Sequence, residues 1–160
     1  MKDSAVWFAV AAVTASASTM TPPAVVIAQL AHVTEIRRFA SLPAPIRTGK
    51  FTVDGVSAAG WQIAEPGGAF SATDVPVPGA PGRRLIFAAC DPQLCLLHYE
   101  RGGIAHFYEI LALSLTSSGW KALWNARGSK PLKDLDALQS LLRGDMPSDG
   151  WSQQWVKGDF

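Results

Sequence analysis

Two histidines, His98 and His106, lie on either side of Gly102-Gly103 in the middle of this sequence. A Gly-Gly pair between two strand-like runs is typical of a β-hairpin turn. If the turn spans residues 101–103, His98 lies directly opposite His106, and their Cβ atoms are about 5 Å apart. Two imidazoles at that separation, with Glu100 on the same face, could bind a transition metal or titrate as a pH-sensitive pair.

The register of this hairpin decides whether such a site forms. If the Gly-Gly pair alone makes the turn, Tyr99 opposes His106 and the histidine pair is lost, because a slip of one residue moves side chains to the opposite face. With the three-residue turn, Tyr108 joins the histidines on the candidate binding face. In the competing interpretation these are half-buried strand residues whose polar groups reach solvent or backbone. No cofactor is predicted beyond the transition metal that such a pair could bind.

Two charged residues near the turn have other potential roles. Arg101 belongs to the predicted tip, where an arginine can contact a partner, and it is a candidate binding residue. Glu109 falls on the apolar face of its strand in one register, where a buried carboxylate requires a cationic partner. Arg101, Arg84 or Lys121 could supply that partner, and a structural ion pair is favoured over a general base.

The common catalytic signatures are missing from the sequence. It contains no P-loop, no GxGxxG after a strand, no GxSxG and no HExxH. We therefore predict no catalytic residue and favour a protein that is not an enzyme. A metal-binding protein or an enzyme acting through His98 and His106 is the alternative.

The sequence contains two cysteines, Cys90 and Cys95, separated by four residues. On paired strands across a tight turn, this spacing satisfies disulfide geometry, and it predicts a disulfide bond in an oxidising compartment. Metal binding is the rival interpretation, but no partner ligands lie nearby in sequence. A redox pair has two intervening residues rather than four, which makes that role less favoured.

The N-terminal residues have the character of a secretory signal. Lys2 provides positive charge, residues 5–13 form an apolar run, and Ala15-Ser16-Ala17 suits a cleavage site. The apolar run is shorter than the roughly 20 residues that cross a bilayer. We therefore predict a signal peptide over residues 1–17 and a periplasmic or secreted mature protein without a transmembrane span.

Length and charge restrict the class of protein further. A chain of 160 residues with 48% hydrophobic residues is expected to form one globular domain. Its net charge of +1, with no large basic cluster, argues against a nucleic-acid partner.

The segments around the hairpin predict an α+β fold. Apolar runs indicate strands over 84–89, 95–100, 104–115 and 120–127. Apolar residues at helical spacing predict one helix between Thr21 and Pro43 and another between Ser129 and Gly144. A Pro- and Gly-rich stretch over 75–82 lacks the amide donors of a central strand and is expected to run along the surface. The expected fold is an antiparallel β-meander of about four to five strands with one helix before and one helix after the sheet.

These elements give a single domain over residues 18–144 and a C-terminal tail over 145–160. The tail carries Trp151 and Trp155, which could dock on the domain or bind a partner, and both are candidate binding residues. The function that fits best is a small exported, non-catalytic binding protein with a protein partner. A subunit of a cell-envelope assembly is an alternative that the sequence does not separate from it.

Overall fold

The computed structural model describes residues 21–48, 51–53, 56–58, 62–117, 119–148 and 150–154. The strands are β1 (Thr34–Ile36), β2 (Phe51–Val53), β3 (Val56–Ala58), β4 (Arg83–Cys90), β5 (Leu94–Arg101), β6 (Phe107–Thr116), β7 (Gly119–Gly128) and β8 (Trp151–Gln154). The α-helices are α1 (Ala24–Gln29), α2 (Ala44–Thr48) and α3 (Leu135–Arg143), and a 3-10 turn covers Phe39–Ser41. None of the helices in these ranges has the length and apolar character required to cross a membrane.

A six-stranded antiparallel sheet in the order β1-β4-β5-β6-β7-β8 forms the centre of the fold. Strands β4 to β7 are neighbours both in sequence and in space, so they form the predicted meander. The β2 and β3 strands pair separately as a short hairpin. The predicted α+β fold class is therefore confirmed, and the strands beyond the predicted meander, β1 and β8, lie at the two edges of the main sheet.

The chain before β2 contains two short helices, α1 and α2, with β1 between them, rather than one long helix. The side chains of Val26 and Leu30 are both buried, as their helical spacing predicts, but α1 ends at Gln29. Residues 34–36 instead pair with the edge of β4, because β-branched side chains favour extended backbone and the edge offers unpaired hydrogen-bonding groups. Pro43 directly precedes α2 instead of ending the first helix, and its carbonyl accepts from Ile46 N at 2.9 Å.

Both faces of the sheet are covered, which explains why β5 and β6 are apolar along most of their length. The helices α1 and α3 cover one face, called here the helix face, and Leu138 packs there against Trp124 and Ile110. The helix α2 and the chain around Ile63 cover the opposite face, called here the α2 face, and pack against Leu97.

The C-terminal helix begins later than the sequence predicts. Its cap is Asp134, whose carboxylate accepts from Ala137 N at 2.9 Å, and this hydrogen bond lowers the pKa of Asp134. Gly144 ends the helix in the left-handed conformation, with φ of 79°. Ser129 lies outside the helix. The chain before Asp134 is instead bound to the sheet, because the Leu132 amide donates to the His98 side chain.

The described part of the C-terminal tail joins the sheet. Strand β8 pairs with the end of β7, and the Trp151 side chain is buried in the helix-face core. A Cβ atom on Gly128 would lie 2.4 Å from the Trp151 ring, so only glycine allows this close approach. Trp155 and the predicted signal peptide over residues 1–17 lie outside the described residues.

Candidate functional site

The hairpin of β5 and β6 adopts neither of the two registers expected from the sequence. Glu100 pairs with Tyr108, so His98 lies opposite Ile110 and residues 102–106 form a five-residue loop. The loop is longer because the tip makes its bonds elsewhere: Gly102 N donates to Gly82 O at 3.1 Å, and Gly103 forms a bridge with Thr73. The expected cross-strand pairing of His98 with His106 is therefore wrong.

His98 is completely buried in the helix-face core beside Phe87. Its Nδ1 donates to the Glu109 carbonyl oxygen at 3.0 Å, and its Nε2 accepts from Leu132 N at 3.0 Å. Because an amide N–H can only donate, Nε2 carries no proton and the ring is neutral. Burial lowers the pKa of His98 to about 4, against smaller raising effects of the Glu109 hydrogen bond and the Glu100 charge.

These two hydrogen bonds leave neither ring nitrogen of His98 free for a metal. Instead, the imidazole fastens the chain before α3 to the middle of the sheet, across 34 positions of sequence. In the described ranges, no three His, Cys, Asp or Glu side chains gather where they could hold a metal ion.

His106 and Glu100, the other two residues of the predicted metal site, do contact each other. Glu100 accepts from His106 Nε2 at 2.9 Å and forms an ion pair with Arg84 Nε. The Arg84 guanidinium also lies 4.5 Å from the centre of the Phe70 ring. The carboxylate is buried, whereas the imidazole is about two-fifths exposed at 41%, so His106 caps a charged cluster at the surface. Tyr108 packs against the same imidazole, with ring centres 5.2 Å apart.

A second buried carboxylate, Glu109, lies on the α2 face. Its Oε2 accepts from the Tyr99 hydroxyl at 2.6 Å, and its Oε1 accepts from Arg127 Nη2 at 2.9 Å and Nε at 3.1 Å. Arg101, one of the cations expected there, reaches the same oxygen only at 3.8 Å. Sequence reasoning missed Arg127, because alignment from the β6–β7 turn places Ala126 opposite Glu109. A β-bulge between Ala112 and Leu113 shifts the register by one residue and brings Arg127 opposite Glu109 instead.

The Tyr99 hydroxyl acts as a permanent donor in this cluster. Burial is the main cause that raises its pKa, and the neighbouring Glu109 carboxylate raises it further. The positive charges of Arg83 and Arg101 both lower the pKa of this hydroxyl and so oppose the rise.

The predicted disulfide between Cys90 and Cys95 is present. The two residues pair directly across β4 and β5 at the end of the hairpin. Between them, the Asp91 carboxylate accepts from Gln93 N at 2.6 Å and from Leu94 N at 2.7 Å, which shapes the turn.

Exposed aliphatic side chains lie on the tip of the β5–β6 hairpin and on the Pro- and Gly-rich segment bridged to it, and the sequence did not reveal them. Ile104 is 97% exposed, Val75 71% and Val77 53%. The two valines flank Pro76, which lines the same shallow cavity of about 330 Å³ as Ile104. These three side chains are called here the hairpin-tip patch. Trp151, expected as a possible partner contact, is buried instead.

Together these features define a small α+β domain with a disulfide-closed meander, a buried histidine anchor and an apolar hairpin tip. Comparison of the chain with protein-family models, with curated proteins and with solved structures found no match.

Proposed function

We propose that this protein is a small exported binding protein without catalytic activity, and that it binds a protein partner through the hairpin-tip patch. The observation that carries the proposal is the exposure of Ile104, Val75 and Val77 on two adjoining segments, which line one cavity through Ile104 and Pro76. Soluble domains rarely leave several large aliphatic side chains exposed together, and apolar patches of this kind commonly mark protein interaction sites.

The hydrogen bonds and close packing of the backbone under the patch support the same function. The Ser71 amide donates to Pro81 O at 2.8 Å and its hydroxyl accepts from Val77 N at 2.9 Å, which closes the Pro- and Gly-rich segment into a loop. The hairpin tip packs tightly on this loop: a Cβ atom on Gly102 would lie 1.8 Å from Ser71 O. A rigid surface loses little conformational entropy when a partner binds.

A capture experiment with Ile104→Glu tests the contact surface. The tagged mature protein is incubated with envelope and culture-medium extracts of the native cell, and the recovered proteins are quantified by mass spectrometry. We expect one partner to be enriched by the unmodified protein and its recovery to fall about tenfold or more with Ile104→Glu, because a charge replaces an apolar contact. The fold should be unaffected, since the side chain is almost fully exposed.

Val25→Glu is the matched control, because Val25 is 48% exposed but lies on α1, away from the hairpin tip. It should recover the partner as well as the unmodified protein. Equal recovery with Ile104→Glu would contradict the proposal, as would a chain that stays monomeric and enriches no partner. Recovery of a multi-subunit envelope complex would identify the protein as a subunit of that assembly.

Export to the periplasm or the cell exterior is supported by the Cys90–Cys95 disulfide and by the signal-like residues 1–17. We expect the protein isolated from its native cell to begin near Ser18 and to contain no free thiol. Intact-mass measurement before and after thiol alkylation checks both features. A cytosolic form that retains Met1 and reacts with the alkylating reagent would show that the protein is not exported.

A further inference from the structure

Three arginines form a staggered row on the α2 face, at the end of the sheet nearest the hairpin tip. Arg127 is offset from the other two by two residues along the strands, because it lies opposite Glu109 rather than Phe107. Arg83 on β4 pairs directly with Arg101 on β5, and Arg127 on β7 lies two strands further along. Glu109, on the strand between the last two, is the one carboxylate that forms an ion pair with this row among the described residues. The row therefore carries an excess of two positive charges.

The hydrogen bonds show which of these charges is neutralised. Arg127 binds Glu109 through two nitrogens, and the remaining carboxylate oxygen accepts from Tyr99. Arg101 only approaches the carboxylate, at 3.8 Å. Arg83 has no ion pair within the described ranges, and its buried Nε has no hydrogen-bond partner there. The two cations without a close counter-charge are therefore the pair that face each other.

This arrangement is unfavourable for the protein alone. Like charges directly opposite each other on neighbouring strands repel, and a buried N–H without an acceptor loses its hydrogen bond to water without replacement. An anion bound by both guanidinium groups offsets the repulsion between them. Because each guanidinium presents parallel N–H donors, the favoured ligand is an oxyanion with two or more oxygens, such as a carboxylate or a phosphate group.

Solvent reaches this row although the carboxylate beneath it is buried. The Arg101 side chain is 39% exposed, whereas that of Glu109 is 6% exposed. Arg127 is held aside by its two bonds to Glu109 and by stacking on the Phe107 ring, at 4.6 Å from the ring centre. A ligand can therefore approach Arg101 from solvent without displacing the buried ion pair.

We propose that Arg83 and Arg101 form a binding site for a small molecule that carries a carboxylate or phosphate group. This site is separate from the hairpin-tip patch and does not depend on the protein partner proposed for it. The Arg127–Glu109 pair acts as its support, because the two Arg127 hydrogen bonds hold the Glu109 oxygen 3.8 Å from Arg101, beyond hydrogen-bond distance.

Calorimetric titration of the mature, disulfide-bonded protein tests the site. Inorganic phosphate and acetate are the two probes, each compared with sodium chloride at the same ionic strength, which corrects for general salt effects. We expect at least one probe to bind saturably, and Arg101→Gln and Arg83→Gln each to weaken it about tenfold or more, because a charged hydrogen-bond donor is lost. Binding of phosphate but not acetate, or the reverse, supports the site and identifies its oxyanion.

Two further variants separate this role from a structural one. Arg143→Gln removes one charge from the exposed end of α3 and should leave binding unchanged. Glu109→Gln removes the negative charge next to the row and should tighten binding about threefold or more, since Coulomb repulsion of the ligand is lost.

Arg101→Gln keeps the test valid if Arg83→Gln fails to fold. The proposal is overturned if neither probe saturates at about 10 mM, a concentration that would fill a millimolar site, or if Arg101→Gln binds as well as the unmodified protein.

Discussion

His98→Ala is expected to lower the free energy of unfolding by about 3–5 kcal/mol. The substitution empties a site in the centre of the helix-face core, where the imidazole is fully buried. It also leaves the Leu132 amide without its acceptor and the Glu109 carbonyl without a donor from the ring. A domain of this size has a free energy of unfolding of about 5–15 kcal/mol, so the variant keeps only part of its stability.

Urea unfolding followed by tryptophan fluorescence measures this effect, and His98→Gln is the control. A glutamine amide can accept from Leu132 N and fills most of the same volume, so this variant should lose about half as much stability or less. If alanine and glutamine destabilise equally, the hydrogen bonds contribute nothing and only the volume of the ring matters. A loss below about 1 kcal/mol for alanine would contradict the anchoring role altogether.

The same histidine should make the protein sensitive to mild acid. The pKa of His98 is lowered from its ordinary value of 6.5 to about 4, so the unfolded chain binds a proton more readily than the folded chain between these values. Stability from this group is therefore complete above pH 6.5 and is lost progressively as the pH falls toward 4, by about 3 kcal/mol in total. The unfolding free energy of His98→Gln should fall less over this interval, and parallel pH profiles of the two proteins would refute the assignment.

The parts of this fold that follow from local patterns could be predicted from the sequence. Apolar strand-like runs and Gly-containing turns indicated the meander, and the short spacing of Cys90 and Cys95 indicated their disulfide. The need for a cation next to Glu109 followed from the position of a carboxylate on an apolar strand face. Each of these inferences uses residues that are close in sequence or paired by a short turn.

The candidate sites depend instead on contacts between distant segments. Gly102 and Gly103 bond to Gly82 and Thr73, about 20 to 30 residues earlier, and these bonds replace the tight turn that Gly-Gly alone would favour. His98 is placed by Leu132, which no hydrophobic periodicity relates to it. The apolar character of Ile104 gave no sign of exposure, because aliphatic residues in a strand-like run are usually buried.

Glu109→Ala is expected to destabilise the protein by about 3–5 kcal/mol, because the substitution removes one partner from a buried ion pair. Arg127 loses the acceptor for both of its hydrogen bonds, and the Tyr99 hydroxyl loses its acceptor at 2.6 Å. The repulsion among the three arginines is then offset by no ion-paired carboxylate among the described residues. Urea unfolding at neutral pH measures the loss.

A double-mutant cycle with Glu109→Gln and Arg127→Gln isolates the ion pair from the other contacts. Glutamine preserves the length of the side chain and can still accept from Tyr99, so Glu109→Gln should be milder than Glu109→Ala. We expect the double variant to lose about 1–2 kcal/mol less stability than the sum of the two single losses. This coupling energy is reduced because Arg127 is about one-third exposed. Strictly additive losses would mean that the two charges do not stabilise each other. Phosphate added to Glu109→Gln should then restore part of the lost stability through Arg83 and Arg101, because a ligand that binds only the folded state shifts the folding equilibrium.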